Sequence, residues 1–259
     1  MTPKDIDLAQ KLADAAGEAI RPFFRAKFEQ EAKGDSTPVT EADRAAEAAM
    51  RAVIERERPD DGIIGEEYGP RNEGASRQWV LDPIDGTTSF IAGRPIFGTL
   101  IALMQEGFPL IGIIDQPIAG ERWIGVVGRG TTFNGQPAKS ARCRELKDAV
   151  LATTSPHLFD EHDAEHFMGL ASKVAPRKII YGGDCYNYGL VASGHVDLVC
   201  EAGLKLHDFA ALAPIIEGAG GMMCDWNGEP LHAESDGHAL AIGDQARIDD
   251  VLEAIACHH

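Results

Sequence analysis

The densest chemistry in the chain lies in Asp82-Pro83-Ile84-Asp85-Gly86-Thr87-Thr88. Two carboxylates stand three positions apart across a proline, and a glycine and two hydroxyl residues follow. Pro83 has a fixed φ and no N–H, so it stiffens the turn expected between the acids. Gly86 lets backbone approach a ligand closely. The N–H groups from Gly86 to Ser89 would be unpaired donors at a helix start, a setting that suits a phosphate. The preceding Trp79-Val80-Leu81 reads as a short buried strand. The whole is a strand that ends in a metal site and passes into a phosphate-binding helix start. Taken alone, however, Asp-Pro-x-Asp-Gly is more often a turn with a cap, so other residues must decide.

Gly65-Glu66-Glu67-Tyr68-Gly69 sets paired glutamates between glycines, just after the apolar Ile63-Ile64. They are either ligands or a solvated loop. Thr40 and Asp43 read as a capping box with a shorter acid than usual; the functional alternative puts Asp43 at the edge of a metal site. The five cysteines are odd in number and form no Cys-x-x-Cys, which suits reduced thiols rather than disulfides or a zinc knuckle. No catalytic thiol is assigned.

A net charge of −17 argues against a nucleic-acid partner, whose backbone needs Lys and Arg. It leaves room for a small phosphate ester, because a divalent cation neutralises carboxylates and phosphate together. Hydrophobic residues at 44% and charged residues at 25% are those of a globular protein. No apolar run approaches the ~20 residues of a membrane span, and Met1–Asp7 has no signal-like apolar core. The expectation is a cytoplasmic protein with no membrane partner.

These residues need elements to hold them. Leu8, Leu12, Ala16, Ile20 and Phe23-Phe24 share a helical face within residues 4–30, and a second helix opens at Thr40. Strands follow around 63–64 and 79–81, then 99–104, 110–114 and 122–127, with hairpin turns at Glu106-Gly107 and Asn134-Gly135. Residues 1–140 thus read as two helices on an antiparallel sheet that carries most candidate ligands. Residues 141–259 alternate strand and helix, with helices expected over 160–173, 184–193, 208–217 and 244–256. Pro214 would remove a hydrogen bond and bend the 208–217 helix. The fold class is α/β, layered α+β. His258-His259 are given no role.

Gly65-Glu66-Glu67, the central Asp82–Thr88 stretch, and Asp208-Phe209-Ala210-Ala211 with Glu217-Gly218-Ala219-Gly220-Gly221 stand in one order and spacing. Together they resemble the inositol monophosphatase superfamily of metal-dependent, lithium-sensitive sugar phosphatases, over nearly the whole chain. The resemblance implies a five-layer αβαβα fold, a homodimer, and hydrolysis of phosphate monoesters with two or three Mg²⁺ ions per site. It implies Glu66, Asp82, Asp85 and Asp208 as metal-ligand side chains and Ile84 as a carbonyl ligand. It makes Thr87 a partner in orienting the attacking water and Asp43 the family's extra acid near the metals. His207 stands where the family commonly has Trp, which points to a supporting part. The expected chemistry is direct attack by a metal-activated water oriented by Glu66 and Thr87, with phosphate held at Gly86, Thr87 and Thr88.

Within the superfamily, Gly182-Gly183-Asp184-Cys185-Tyr186, residues 196–205, Phe97–Leu103 and Ile114-Asp115-Gln116-Pro117 resemble the histidinol-phosphate phosphatase branch, which acts in histidine biosynthesis. Its substrate carries an ammonium group and an imidazole, so its site needs acids beyond those that hold metal. Asp184 and Glu201 take that place; Asp184 could pair with the ammonium or cap a helix. With Asp208 they form the expected substrate-binding set. The alternatives are inositol 1-phosphate or a broad range of sugar phosphates, then a 3′,5′-bisphosphonucleotide. A different class is a catalytically silent metal-binding regulatory dimer.

Overall fold

The computed structural model describes residues 2–26, 31–32, 38–39 and 41–256. Thr40, residues 27–30 of the expected first helix, Cys257 and His258-His259 lie outside the described residues. Helix α1 (Pro3–Ile20) opens after Thr2 with proline at its first position and buries Leu8, Leu12, Ala16 and Ile20. It stops at Ile20 rather than continuing toward residue 30. Pro22 is the signal missed, since it has no N–H to carry the helical hydrogen-bond ladder onward. Phe24, in the turn beyond, packs its ring 5.8 Å from Phe90 and 5.6 Å from Phe97.

Strands β1 (Glu31–Ala32) and β2 (Pro38–Val39) pair as a short antiparallel ladder. Helix α2 (Glu41–Glu57) packs along α1. A seven-stranded sheet then runs in sequence order: β3 (Gly62–Gly65), β4 (Arg77–Asp85), β5 (Gly98–Gln105), β6 (Phe108–Gln116), β7 (Glu121–Val126), β8 (Gly130–Phe133) and β9 (Gln136–Pro137). All neighbours are antiparallel except β3 and β4. Glu106-Gly107 and Asn134-Gly135 have positive φ at both residues, as two-residue hairpins of this twist require. Helix α3 (Thr87–Ile91) follows β4.

The second sheet comprises β10 (Leu151–Thr153), β11 (Ile179–Tyr181), β12 (Leu198–Glu201), β13 (Met222–Cys224) and β14 (Ala239–Ile242), ordered β11-β10-β12-β14-β13. Its helices are α4 (Glu161–Ala171), α5 (Asp184–Ala192), α6 (Leu206–Phe209), α7 (Leu212–Gly218) and α8 (Ile248–Ile255). Three apolar cores define the layers. Leu12, Met50, Trp79 and Ile113 join α1 and α2 to the first sheet. Trp123, Tyr188, Val199 and Ile215 fill the space between the sheets around α5 and α7. Phe167, Leu198, Leu240 and Val251 join α4 and α8 to the outer face of the second sheet. The result is the layered αβαβα order. Among the described residues no helix is long and apolar enough to cross a membrane.

The helix expected over 208–217 is two helices, α6 and α7. Pro214 is the third residue of α7, where its missing N–H has no helical partner to lose, and the interruption falls before it at Ala210-Ala211. Gly112 on β6 and Gly125 on β7 stand directly opposite each other. A Cβ on Gly112 would collide with the Ala211 carbonyl, and one on Gly125 with the Pro214 carbonyl. The paired glycines let the start of α7 lie on the sheet, and α6 with Asp208 is carried in against β4 and β5.

Candidate active site

The two acids of β4 reach the same place through an irregularity in the strand. Asp82 pairs with Leu100 and Asp85 with Gly98, so three steps on β4 match two on β5. Residues three apart on a regular strand face opposite sides. The extra residue of a β-bulge restores them to one side. Pro83 therefore lies within a bulged strand that runs to Asp85, and not in a turn after the strand as its sequence suggested. Its carbonyl accepts the buried Thr99 hydroxyl at 2.7 Å, which satisfies a group the bulge displaces.

Carboxylate oxygens of Asp82, Asp85 and Asp208 lie within 4.8 Å of one another. Asp85 Oδ2 accepts the Cys185 N–H at 2.5 Å, and Asp208 Oδ2 accepts the Lys205 N–H at 2.6 Å. Asp82 Oδ1 is buried with no hydrogen-bond partner. Among the described residues, neither Lys nor Arg pairs with these three acids. Burial first, then the charges of Asp85, Glu66, Asp208 and Asp43, push the Asp82 pKa well above the ordinary carboxylate value. Asp85 is pushed well up by burial and then by Asp184 and Asp208, against the Cys185 hydrogen bonds. A buried acceptor without a donor, inside a group of repelling carboxylates, is the setting a hard divalent cation satisfies. The donors are all oxygen, so the site fits Mg²⁺.

Glu66 stands exposed on the rim, outside the group of three, where its N–H donates to the Leu81 carbonyl at 3.2 Å. Solvent lost on its protein side raises its pKa; His207 opposes the rise, while Asp43, Asp208 and Glu67 add to it. His207 Nε2 is 3.5 Å from Asp208 Oδ1, so the imidazole stands beside that acid as a neighbour. Asp43 is buried in the first turn of α2. Thr87 donates its hydroxyl to the Ile84 carbonyl at 3.0 Å. Gly86, at φ +83°, precedes α3, and Thr88 is exposed beside it.

Asp184 and Glu201 open on the same cleft as Asp85 and Asp208, a space of about 160 Å³ also walled by Thr154, Leu158 and Phe159. Two larger cavities of about 580 Å³ each share no lining residue with it. Asp184 is the first residue of α5; the cap position falls to Gly183 and no side chain caps it. The Asp184 carboxylate instead accepts the Ser89 hydroxyl at 3.0 Å and crowds Gly86, where a Cβ would meet it at 2.6 Å. The far half of the chain thereby touches the central stretch directly. Burial raises the Asp184 pKa against Ser89 and Arg94. Glu201 is buried: its Oε1 takes the Thr154 N–H at 3.0 Å and hydroxyl at 2.5 Å, and its Oε2 takes the Tyr188 hydroxyl at 2.9 Å. Burial pushes its pKa up to about 7, against those hydrogen bonds and with a contribution from Asp184.

Sequence reasoning missed Thr99, Ser89 and Glu47. Thr99 and Ser89 carry no local signal, since their partners are far along the chain. Glu47 had one: it lies one turn from Asp43 on the helix face that also carries Ala46 and Met50, where an acid needs a partner.

A sequence profile described as the inositol monophosphatase family matches residues 3–256. The bifunctional phosphatase IMPL2 of Arabidopsis thaliana, a chloroplastic protein, is 49% identical over 95% of this chain and 73% of its own. A histidinol-phosphatase of Chlorobaculum parvum is 37% identical over 98% of this chain and 97% of its own. A solved inositol monophosphatase from Zymomonas mobilis is 54% identical, with a TM-score of 0.89 over 97% of each chain.

Proposed function

The chain belongs to the inositol monophosphatase family, a family of metal-dependent phosphatases, and we propose that the ester it hydrolyses is histidinol phosphate, as a step of L-histidine biosynthesis. The observation that carries this choice is the cleft in which Asp184 and Glu201 share walls with Asp85 and Asp208. One end of that cleft suits phosphate with its cation. The other offers carboxylates to an ammonium group beside the apolar Leu158 and Phe159, against which an imidazole can lie. The near-full-length likeness to a histidinol-phosphatase supports the same choice.

Asp82, Asp85 and Asp208, with Glu66 and the Ile84 carbonyl, would hold two or three Mg²⁺ ions. When bound, Mg²⁺ offsets phosphate charge, acidifies the attacking water and supports the departing oxygen. Thr87 has committed its hydrogen to Ile84, so its oxygen is left as an acceptor. It orients the water together with the Glu66 carboxylate, and that carboxylate would take up the water's proton; Asp43 keeps this region acidic. Backbone N–H groups at Gly86, Thr87 and Thr88 hold the phosphate. Asp184, fixed by Ser89, meets the ammonium, and Glu201 shapes the wall behind it. The proposed setting is a cytoplasmic homodimer in which residues 1–140 supply most ligands and 141–259 supply Asp208 and the recognition residues.

Phosphate release with Mg²⁺ is measured on histidinol phosphate, inositol 1-phosphate and a 3′,5′-bisphosphonucleotide, with an EDTA control. Histidinol phosphate is expected to have the highest kcat/KM. A strong preference for inositol 1-phosphate, the ester suggested by the name of the Zymomonas relative, would overturn the choice of substrate. No turnover on any ester would favour a silent metal-binding dimer.

A further inference from the structure

Beyond β3 the chain passes through Glu66–Gly69 with neither helix nor strand, so its backbone polar groups need partners from elsewhere. One pair of side chains on α2 provides them. Glu47, fully buried, accepts the Glu67 N–H at 2.7 Å on Oε2 and the Tyr68 N–H at 3.2 Å on Oε1. Arg51, one turn along, donates from Nη2 to the Tyr68 and Gly69 carbonyls at 2.8 and 2.9 Å. Its Nε donates to Glu47 Oε1 at 2.7 Å, which closes the pair on itself. Gly65 leaves the necessary room, because a Cβ there would collide with the Glu47 carboxylate. The carboxylate thus takes the donors of the loop and the guanidinium takes its acceptors.

We propose that Glu47 and Arg51 form a clamp that positions Glu66 for metal binding, holding it toward Asp82 and Asp208 against the repulsion of like charges. The clamp rests on Glu66 being a metal ligand. Glu47 is not one of the acids gathered at the site, and Arg51, a cation, cannot ligate a metal there. They are positioning residues that act through the backbone of residues 67–69. Their loss should weaken metal affinity more than the rate of the loaded enzyme.

Glu47→Gln, Arg51→Gln, Arg51→Lys and Glu66→Gln are compared with the wild type. Two metal readouts are taken: Mg²⁺ binding by calorimetry without substrate, and the Mg²⁺ concentration for half-maximal phosphate release. Glu47→Gln and Arg51→Gln are each expected to weaken Mg²⁺ binding by roughly 10–100-fold, the span for residues that support a metal ligand. The rate at saturating Mg²⁺ should be largely kept. Arg51→Lys should recover part of the loss, since it keeps the charge but not the fork. Hydrogen exchange should quicken at the Glu67 and Tyr68 amides in both Gln variants and stay unchanged at β4. If Glu47→Gln does not fold, the Arg51 variants carry the test. Unchanged Mg²⁺ affinity in the clamp variants, with a loss in Glu66→Gln, overturns the clamp. Weakened affinity with unchanged exchange at Glu67 and Tyr68 overturns it too. No effect in Glu66→Gln overturns the ligand assignment beneath it.

Discussion

Strand β4 has an acid cluster near each end, and the two are built on opposite rules. At its start Arg77 donates to the buried Asp5 at 2.8 Å and lies 3.5 Å from Asp61. Arg58 reaches Asp5 at 3.3 Å, the Thr2 N–H donates to it at 2.6 Å, and the Trp79 indole donates to Asp61 at 3.0 Å. Burial alone would raise the Asp5 pKa, but the Arg77 and Thr2 hydrogen bonds and the Arg77 charge hold it well below the ordinary range. At the other end Asp82 and Asp85 meet Asp208, and burial with mutual repulsion pushes Asp82 and Asp85 well up. Acids that hold the fold together come with their cations built in. The acids proposed as metal ligands are gathered without one.

The largest effect that separates the two clusters is on rate. Asp85→Asn should cost at least roughly 10²–10³-fold in kcat, as loss of a preorganised charge at a reacting centre does. Its melting temperature in EDTA should not fall. An unchanged rate would remove the functional end from the comparison. Next, Asp5→Ala should lower stability by about 2–3 kcal/mol in urea unfolding, because it removes the buried carboxylate shared by Arg77 and Arg58, while kcat/KM stays as in the wild type.

The pH dependence should also split. Asp82 and Asp85 have raised folded-state pKa values, so their contribution is favourable below the ordinary carboxylate range and is lost as pH rises. Asp5 is held low, so its contribution is present above that range and is lost as pH falls through it. Protein in EDTA should therefore be most stable in mild acid. Adding Mg²⁺ should raise its melting temperature more at about pH 8 than at about pH 5. Equal shifts at both would contradict the difference between the clusters.

The smallest effect concerns Glu201, which belongs to neither end. Its folded-state pKa of about 7 lies above the ordinary value, so its contribution is lost as pH rises from the ordinary carboxylate range to about 7 and levels off above it. Glu201→Gln should gain about 1 kcal/mol at about pH 8 and nothing at about pH 5, read by thermal unfolding at both.

Much of the site was legible because its residue types are unusual for their surroundings: acids beside prolines and glycines, next to apolar strands. Asp82 and Asp85 announce themselves in this way, whereas Asp208 was found through the family resemblance of its block, and the three are found together. Glu66 is legible for the same reason, yet the structure sets it on the rim and not within that group. The fold was legible where periodicity is local, as in α2, the hairpins at Glu106-Gly107 and Asn134-Gly135, and β14 at Ala239–Ile242. It was misread where a distant partner decides. Pro214 looked like a helix bend until the helix proved to be two, laid on paired glycines of another layer. Pro83 looked like a turn until the register with β5 showed a bulge.

The amino-acid sequence by itself determined the chemistry on offer: hard oxygen donors, no competing His or Cys cluster, and a glycine with hydroxyls at a helix start. These depend on side-chain type and short spacing, which a linear chain displays. Only the tertiary structure decided that the donors meet. Asp82 and Asp85 share a side because one extra residue on β4 shifts the strand's parity against β5. Asp208 joins them because Gly112 and Gly125 leave space for a helix start. Asp184 touches Ser89 across 95 residues of sequence. Contacts of that reach have no local signature, since their cost in chain entropy is met by cores that form only when the layers close.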